Sequence, residues 1–381
     1  MTAPGLIDRV RARLVLTPEV PSRARVAALV REESGGLLDD GAVLAAVREA
    51  VDELAGAGPL EPLLRAPGVT DVLVNGPHEV WVDRGCGLQR ADLRFADEEA
   101  LRRLAVRLAA AAGRRLDDGV PWVDAGLPDG TRLHAVLPPV ADAGTCLSLR
   151  VLRRCALSVV DLADAGAFPG ASEGILRGLV SARAAFLVTG GTGSGKTTLL
   201  SALLGLLPSS ERLVICEDAP ELGPDHPHVV RLVGRPANVE GAGEITLRDL
   251  VRQALRMRPD RLVVGEVRGP EVVDLLAALN TGHEGGAGTL HVNRPAEVPA
   301  RLEALGVAAG MGRAAVHSQA AAGQDAVVHL RRTTAGRRVD EIGVLRRNGD
   351  LVTVEPAWRA DGGPVPGAPR LEDLLSRDTR C

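Results

Sequence analysis

The stretch AFLVTGGTGSGKTTLLSALLGLL, Ala185 to Leu207, decides the fold. It opens on an apolar, strand-like run, passes through Gly190, Gly191, Gly193 and Gly195, and continues into a Leu/Ala-rich segment that reads as a helix. Within it, Gly190-Gly191-Thr192-Gly193-Ser194-Gly195-Lys196-Thr197 matches G-x-x-x-x-G-K-[ST] in the strand-then-helix setting that motif requires. Glycines leave room for successive backbone N–H groups to turn inward around a phosphate, and the following helix start adds partial positive charge. Lys196 is then placed for the β- and γ-phosphates and Thr197 for Mg2+, with Thr198 following in the same turn. The competing reading is a glycine-rich turn with a surface lysine. Against it, Lys196 is the only lysine among 45 basic residues. In a chain so biased toward arginine, a lysine kept at this position points to a need for a compact ammonium.

Outward from this motif, strands and helices alternate. RLVICEDAPEL, RLVVGEVRG and GAGTLHVNRP read as strands, while LRDLVRQALRMRPD and EVVDLLAALNTGH read as helices. That alternation predicts a doubly wound, largely parallel α/β core over 157–335. Before it, 65–155 reads as a smaller α+β domain. VTDVLVNGPHEVWVDRGCGLQRADLRF supplies strands and turns, and DEEALRRLAVRLAAAAG is an amphipathic helix with Asp97 as N-cap and Gly113 as C-cap. Residues 1–62 carry helical spacing and end in a Gly/Pro-rich stretch. Beyond the core, 336–381 reads as a C-terminal β-hairpin layer that includes RRVDEIGVLRR and LVTVEPAW, with RADGGPVPGAPR a disordered tail.

Composition sets the outer limits. At 381 residues the chain exceeds what one compact core usually holds, so two domains are expected. Apolar residues at 45% and charged residues at 25% exclude a disordered or collagen-like chain. A net charge of −4 argues against a nucleic-acid-coating surface, and aromatics at 2% leave little to build a base-stacking platform. No apolar run reaches the roughly 18 residues of a membrane span, and the N-terminus lacks a secretory apolar core. The expectation is a cytoplasmic chain that at most leans on a membrane. Cys86, Cys146, Cys155, Cys216 and Cys381 form no C-x-x-C pair, so neither a zinc site nor a disulfide framework is expected.

Three further elements bear on chemistry. Arg261-Leu-Val-Val-Gly-Glu266 is an apolar strand ending in an acid, as a Walker B strand should; such a carboxylate faces the nucleotide crevice and can hold a Mg2+-bound water. The alternative for Glu266 is a salt bridge to Arg268. Cys216-Glu217-Asp218-Ala219-Pro220-Glu221 places three acids at another strand end, suited to a metal–water shell and a general base, or to an exposed acidic turn. His283 and His291 flank a glycine-rich turn after the Walker B strand, where neutral imidazoles could sense a γ-phosphate.

With these elements in order, the chain resembles the type II/IV secretion-system ATPase superfamily, and within it the Tad pilus-assembly branch. The resemblance rests on VNGPHEVWVDRGCGL, AGRRLDDGVPWVDAGLPDGTRLHAVLPP, GGTGSGKTTLL, ICEDAPEL, LRMRPDRLVVGEVRGPE and LNTGHEGGAGTLHVNRP. It implies a RecA-like P-loop ATPase core and a homo-hexameric ring of two-domain subunits with ATP and Mg2+ bound between the domains. It also implies work done on an integral-membrane platform protein at the inner face of the cytoplasmic membrane, with no direct nucleic-acid binding. By motif position, Lys196 and Thr197 are the Walker A pair, Glu266 the Walker B acid and Glu221 the general base. Glu217 and Asp218 complete the Asp box, with Thr197 and Glu266, as candidate metal-side groups, and His283 and His291 form the His box. Arg132 in PDGTR and Arg150 in LSLR are candidates for the arginines that reach the γ-phosphate in such motors; solvated strand arginines are the alternative. Competing functions are a conjugation-type DNA-transfer ATPase, a RecA-like nucleic-acid translocase and, more remotely, a P-loop small-molecule kinase.

Overall fold

The computed structural model describes residues 6, 9–10, 13, 23–35, 39–54, 56–85, 87–151, 157–237, 241–282, 284–334 and 336–377. The chain divides into two compact units, Met1–Arg153 and Arg154–Cys381.

In the first unit, helices α1 (Arg23–Glu33) and α2 (Asp40–Leu54) share a small core of Val26, Leu29, Val30, Val43, Ala46 and Ala50. After the short helix α3 (Glu61–Arg65) come strands β1 (Asp71–Asn75), β2 (Val80–Asp83) and β3 (Leu88–Arg90). Helix α4 (Glu98–Ala111) and strands β4 (Trp122–Gly126), β5 (Arg132–Val136) and β6 (Cys146–Arg150) follow. The six strands form one antiparallel sheet in the order β3-β2-β1-β6-β5-β4. Helix α4 starts where the sequence places it: Asp97 accepts from the Ala100 N–H at 2.7 Å, and Gly113 follows the last turn with φ +68°. Leu101, Leu104, Ala105 and Leu108 on its apolar face join the inward residues of the strands in one core.

The second unit begins with α5 (Val159–Asp164) and α6 (Ser172–Ser181), then β7 (Phe186–Gly190), α7 (Lys196–Leu204), β8 (Leu213–Glu217), β9 (Val229–Val233) and α8 (Leu247–Ala254). It continues with β10 (Arg261–Val264), α9 (Glu271–Leu279), β11 (Ala287–Leu290), α10 (Val298–Ala308) and α11 (Arg313–Gly323). It closes with β12 (Ala326–Thr333), β13 (Gly336–Asn348), β14 (Leu351–Arg359) and α12 (Ala368–Leu375). The eight strands run β14-β13-β12-β7-β11-β10-β8-β9, parallel from β12 to β9, with β13 and β14 antiparallel.

This sheet is covered on both faces, which is why its central strands are apolar throughout rather than alternating. Phe186 and Val188 enter one core with Leu176, Leu179, Leu200 and Leu203 of α6 and α7. Leu187, between them, enters the other with Val251, Leu275 and Leu302 of α8, α9 and α10. Successive residues of one strand thus feed two cores, the doubly wound arrangement expected from the sequence.

The C-terminal segment differs from the expected separate layer and disordered tail. Strands β12 to β14 extend the main sheet, because β12 pairs in parallel with β7 from Ala326↔Phe186 to Leu330↔Gly190. The 335/336 division therefore falls inside the β12–β13 hairpin. Within the expected tail, α12 begins at Ala368; its Leu371 and Leu374, three apart, are buried in the same core as α6. Gly178 of α6 makes room for it, since a Cβ there would lie 2.8 Å from a methyl of Leu375.

Candidate nucleotide site

The glycine loop runs from the end of β7 to the start of α7, where Gly195 is the N-cap at φ +96°. Gly190 is required by space: at φ +146°, its Cβ would lie 2.6 Å from both the Leu330 carbonyl oxygen and Ser194 Oγ. The loop is therefore seated directly against β12. Lys196 folds back over it, its ammonium donating to the Gly190 and Gly191 carbonyls at 3.0 Å each. Burial lowers the Lys196 pKa, and the carboxylates of Glu266 and Glu221 oppose that shift. Ser194 Oγ is buried without a partner among the described residues. Inward-facing polar groups, a lysine held by the loop itself and nearby carboxylates suit a polyphosphate and an accompanying hard cation.

The three acids at the end of β8 and just beyond it are held in different ways. Glu217 is 3% exposed, and its Oε1 accepts from the backbone N–H groups of Glu221 (3.0 Å) and Leu222 (2.8 Å). Burial pushes its pKa up to about 7, against the pull of those two donors. Its side chain lies over Gly265, where a Cβ would meet Glu217 Cγ at 2.7 Å. Glu217 thus braces the turn that carries Glu221, which suits it better to that task than to the expected metal-side role. Glu221 in turn accepts from Thr197 Oγ1 at 3.4 Å, a long contact. Asp218 pairs with Arg268 at 2.6 Å. The alternative reading of Glu266, a salt bridge to Arg268, is not what forms; Glu266 is exposed just beyond the end of β10 and counts among the charges acting on Lys196.

The loop after β10 is held from two sides. Thr289 Oγ1 on β11 donates to the Gly265 carbonyl at 2.6 Å, and the Val267 N–H donates to the Thr289 carbonyl at 2.8 Å. Glu271, buried at the start of α9, accepts from the N–H groups of Arg268 (2.6 Å) and Gly269 (2.7 Å). His291 is exposed just after β11, and His283 lies outside the described residues. Beneath the P-loop, buried His329 meets Thr189 Oγ1 at 3.0 Å through Nδ1. At the opposite strand ends, buried Arg261 pairs with Glu211 at 2.6 Å and donates to the Val180 carbonyl at 3.3 Å. Motif reading passes over Glu271, His329 and Arg261. Only Glu271 leaves a local signal, an acid in the first turn of a helix.

Arg132 and Arg150 lie in the first unit as direct neighbours on β5 and β6. Arg132 donates to Asp124 at 3.3 Å and Arg150 to Asp71 at 3.0 Å.

A P-loop strand flanked by β11 and β12, with the acid-bearing β10 and β8 beyond β11, is the RecA-like core of a P-loop ATPase. The chain belongs to the type II/IV secretion system protein family, whose family model matches residues 53–340. A Mycobacterium tuberculosis (strain H37Rv) protein named for conjugal transfer, Rv3659c, is 60% identical over 346 residues, covering 89% of this chain and 98% of that protein. The type IV secretion system protein PtlH of Bordetella pertussis is 36% identical over 256 residues, covering 61% and 75%. VirB11 of Brucella suis, also named as a type IV secretion system protein, is 32% identical over 272 residues, covering 65% and 75%. Among solved structures, the pilus retraction motor PilT with bound ADP aligns at TM-score 0.53 and 19% identity over 76% of this chain and 83% of that one. The Yersinia pseudotuberculosis ATPase DotB aligns at TM-score 0.51 and 17% identity over 74% and 76%. At these identities the two structures show the fold alone.

Proposed function

We propose that this ATPase is the motor subunit of a Tad-type pilus-assembly or type II/IV secretion system. In this reading it acts as a homo-hexamer on an integral-membrane platform protein, which keeps it at the inner face of the cytoplasmic membrane. The observation that carries the chemistry is the reach of Glu221 to Thr197 Oγ1, with the Glu221 backbone braced by buried Glu217. Lys196 binds the terminal phosphates and Glu221 orients the attacking water. Thr197 and Glu266 would supply hard oxygen ligands of the kind that suits Mg2+, which would neutralise charge on the phosphates, whereas Asp218 is already held by Arg268. His283 and His291 are proposed as γ-phosphate sensors. Arg132 and Arg150 are proposed as phosphate-contacting arginines on the strength of the family resemblance.

A second reading, a conjugation-type transfer ATPase, is favoured by the relative named for conjugal transfer at 60% identity. The two readings share the hydrolytic site and differ in what is moved; pilin and platform genes beside the coding sequence support the first, relaxase and coupling genes the second. The ring is tested by ATPase activity per subunit across protein concentration with Mg2+. A specific activity that climbs steeply and then saturates supports sites completed by assembly. A flat, appreciable activity down to dilute protein overturns the motor reading. Lys196→Ala should abolish turnover, and an active variant would sink the site assignment.

A further inference from the structure

We propose that Arg337, with Arg332 beside it, holds the nucleoside end of the bound nucleotide, laying its guanidinium plane against the purine base. This rests on the ATPase reading of the P-loop and adds a base-binding element to it. The hairpin of β12 and β13 carries four arginines in two facing pairs, Arg331↔Arg338 and Arg332↔Arg337. Since successive strand residues point to opposite faces, each pair occupies its own face. Arg331 and Arg338 are matched by Asp340, at 2.6 and 3.8 Å. The other pair comes up against the P-loop: a Cβ built on Gly195 would lie 3.3 Å from Arg337 Cδ, and one on Gly193 would lie 3.9 Å from an Arg332 guanidinium nitrogen. Both arginines are exposed, and no carboxylate among the described residues forms an ion pair with Arg337.

Sheet order assigns the end of the nucleotide they face. Glu221 and Glu266 follow β8 and β10, on the β11 side of the P-loop strand, and mark where the terminal phosphate is hydrolysed. The hairpin grows from β12, on the other side of β7. A nucleotide with its γ-phosphate toward the acids therefore presents its base and ribose toward Arg332 and Arg337. The hairpin cannot drift away, because Leu330 is registered against Gly190 and its carbonyl fills the space a Gly190 side chain would take. A planar guanidinium over a purine face supplies the stacking that an aromatic side chain would otherwise give. This chain has no tyrosine and only three each of Phe and Trp.

The test compares two probes on the full-length protein by titration calorimetry: ADP and inorganic tripolyphosphate, which lacks a nucleoside. Arg337→Ala should weaken ADP binding about ten-fold, the scale of one cation–π contact, and leave tripolyphosphate within about two-fold. Arg337→Lys should lose ADP affinity similarly, since an ammonium keeps the charge without the plane. Equal weakening of both probes, unchanged ADP binding in Arg337→Ala, or full ADP affinity in Arg337→Lys would each overturn the proposal. Wild-type protein that binds neither probe would instead overturn the ATPase reading beneath it.

Discussion

Replacing Glu217 by Gln should flatten the pH dependence of the second unit's stability. Glu217 is buried, with one oxygen bonded to two backbone N–H groups and the other without a partner among the described residues. Its pKa stands at about 7 against an ordinary 4.5, with burial the main cause. The folded state therefore keeps this proton at pH values where the unfolded chain has released it. Stability falls as pH rises from about 4.5 to about 7, and above that window the full cost of the buried charge is present. Carrying the carboxyl from 4.5 to about 7, at about 1.4 kcal/mol per unit of pH, sets that cost on the order of 3 kcal/mol. Glutamine keeps an oxygen for the two N–H groups and carries no charge. Urea unfolding of both proteins at intervals from pH 4.5 to 8 reads the difference directly. Glu217→Gln should gain on the wild type steadily across the window and hold a constant lead above it. Parallel profiles would refute the claim that Glu217 is a buried brace.

Glu221→Gln should retain ADP binding within a few-fold while turnover falls by two or more orders of magnitude, because the group lost orients water rather than holding phosphate. Separate measurement of equilibrium nucleotide affinity and steady-state phosphate release checks it. Leu374→Ala should destabilise the second unit by about 2–5 kcal/mol through the cavity left beside α6, measurable as a lower urea midpoint. A change near zero would mean that α12 does not contribute to the core.

Much of this architecture is legible locally. Strands β7, β8 and β10 are buried on both faces, so their sequences are continuous apolar runs punctuated by Gly or acids at the functional ends. Asp97 and Gly113 bracket α4 as cap residues should. What escapes is long-range. RRVDEIGVLRR and LVTVEPAW read as hairpin strands, but nothing nearby in sequence says that β12 pairs with β7; Thr189 and His329, which meet there, are 140 residues apart. Edge strand β9 is only half-buried, and its run VVRLV is interrupted by Arg231. Proline and glycine before α12 mask a helix whose decisive feature is two leucines three positions apart. In the Asp box, spacing groups three acids but cannot tell which turns inward; the turn through Asp218–Pro220 buries Glu217, gives Asp218 to Arg268 and leaves Glu221 toward Thr197.

The placement of β12 against the glycine loop also bears on how the protein is made. Both sheet neighbours of β7, β11 and β12, are translated after it, and the carbonyl that seats Gly190 belongs to Leu330. A ribosome-bound chain that has just exposed the lysine motif has no sheet in which to set it. The contact that seats Gly190 against β12 can form only once residue 330 has left the exit tunnel. Until then β7 is an apolar strand with two open edges, the kind of surface that chaperones hold during synthesis.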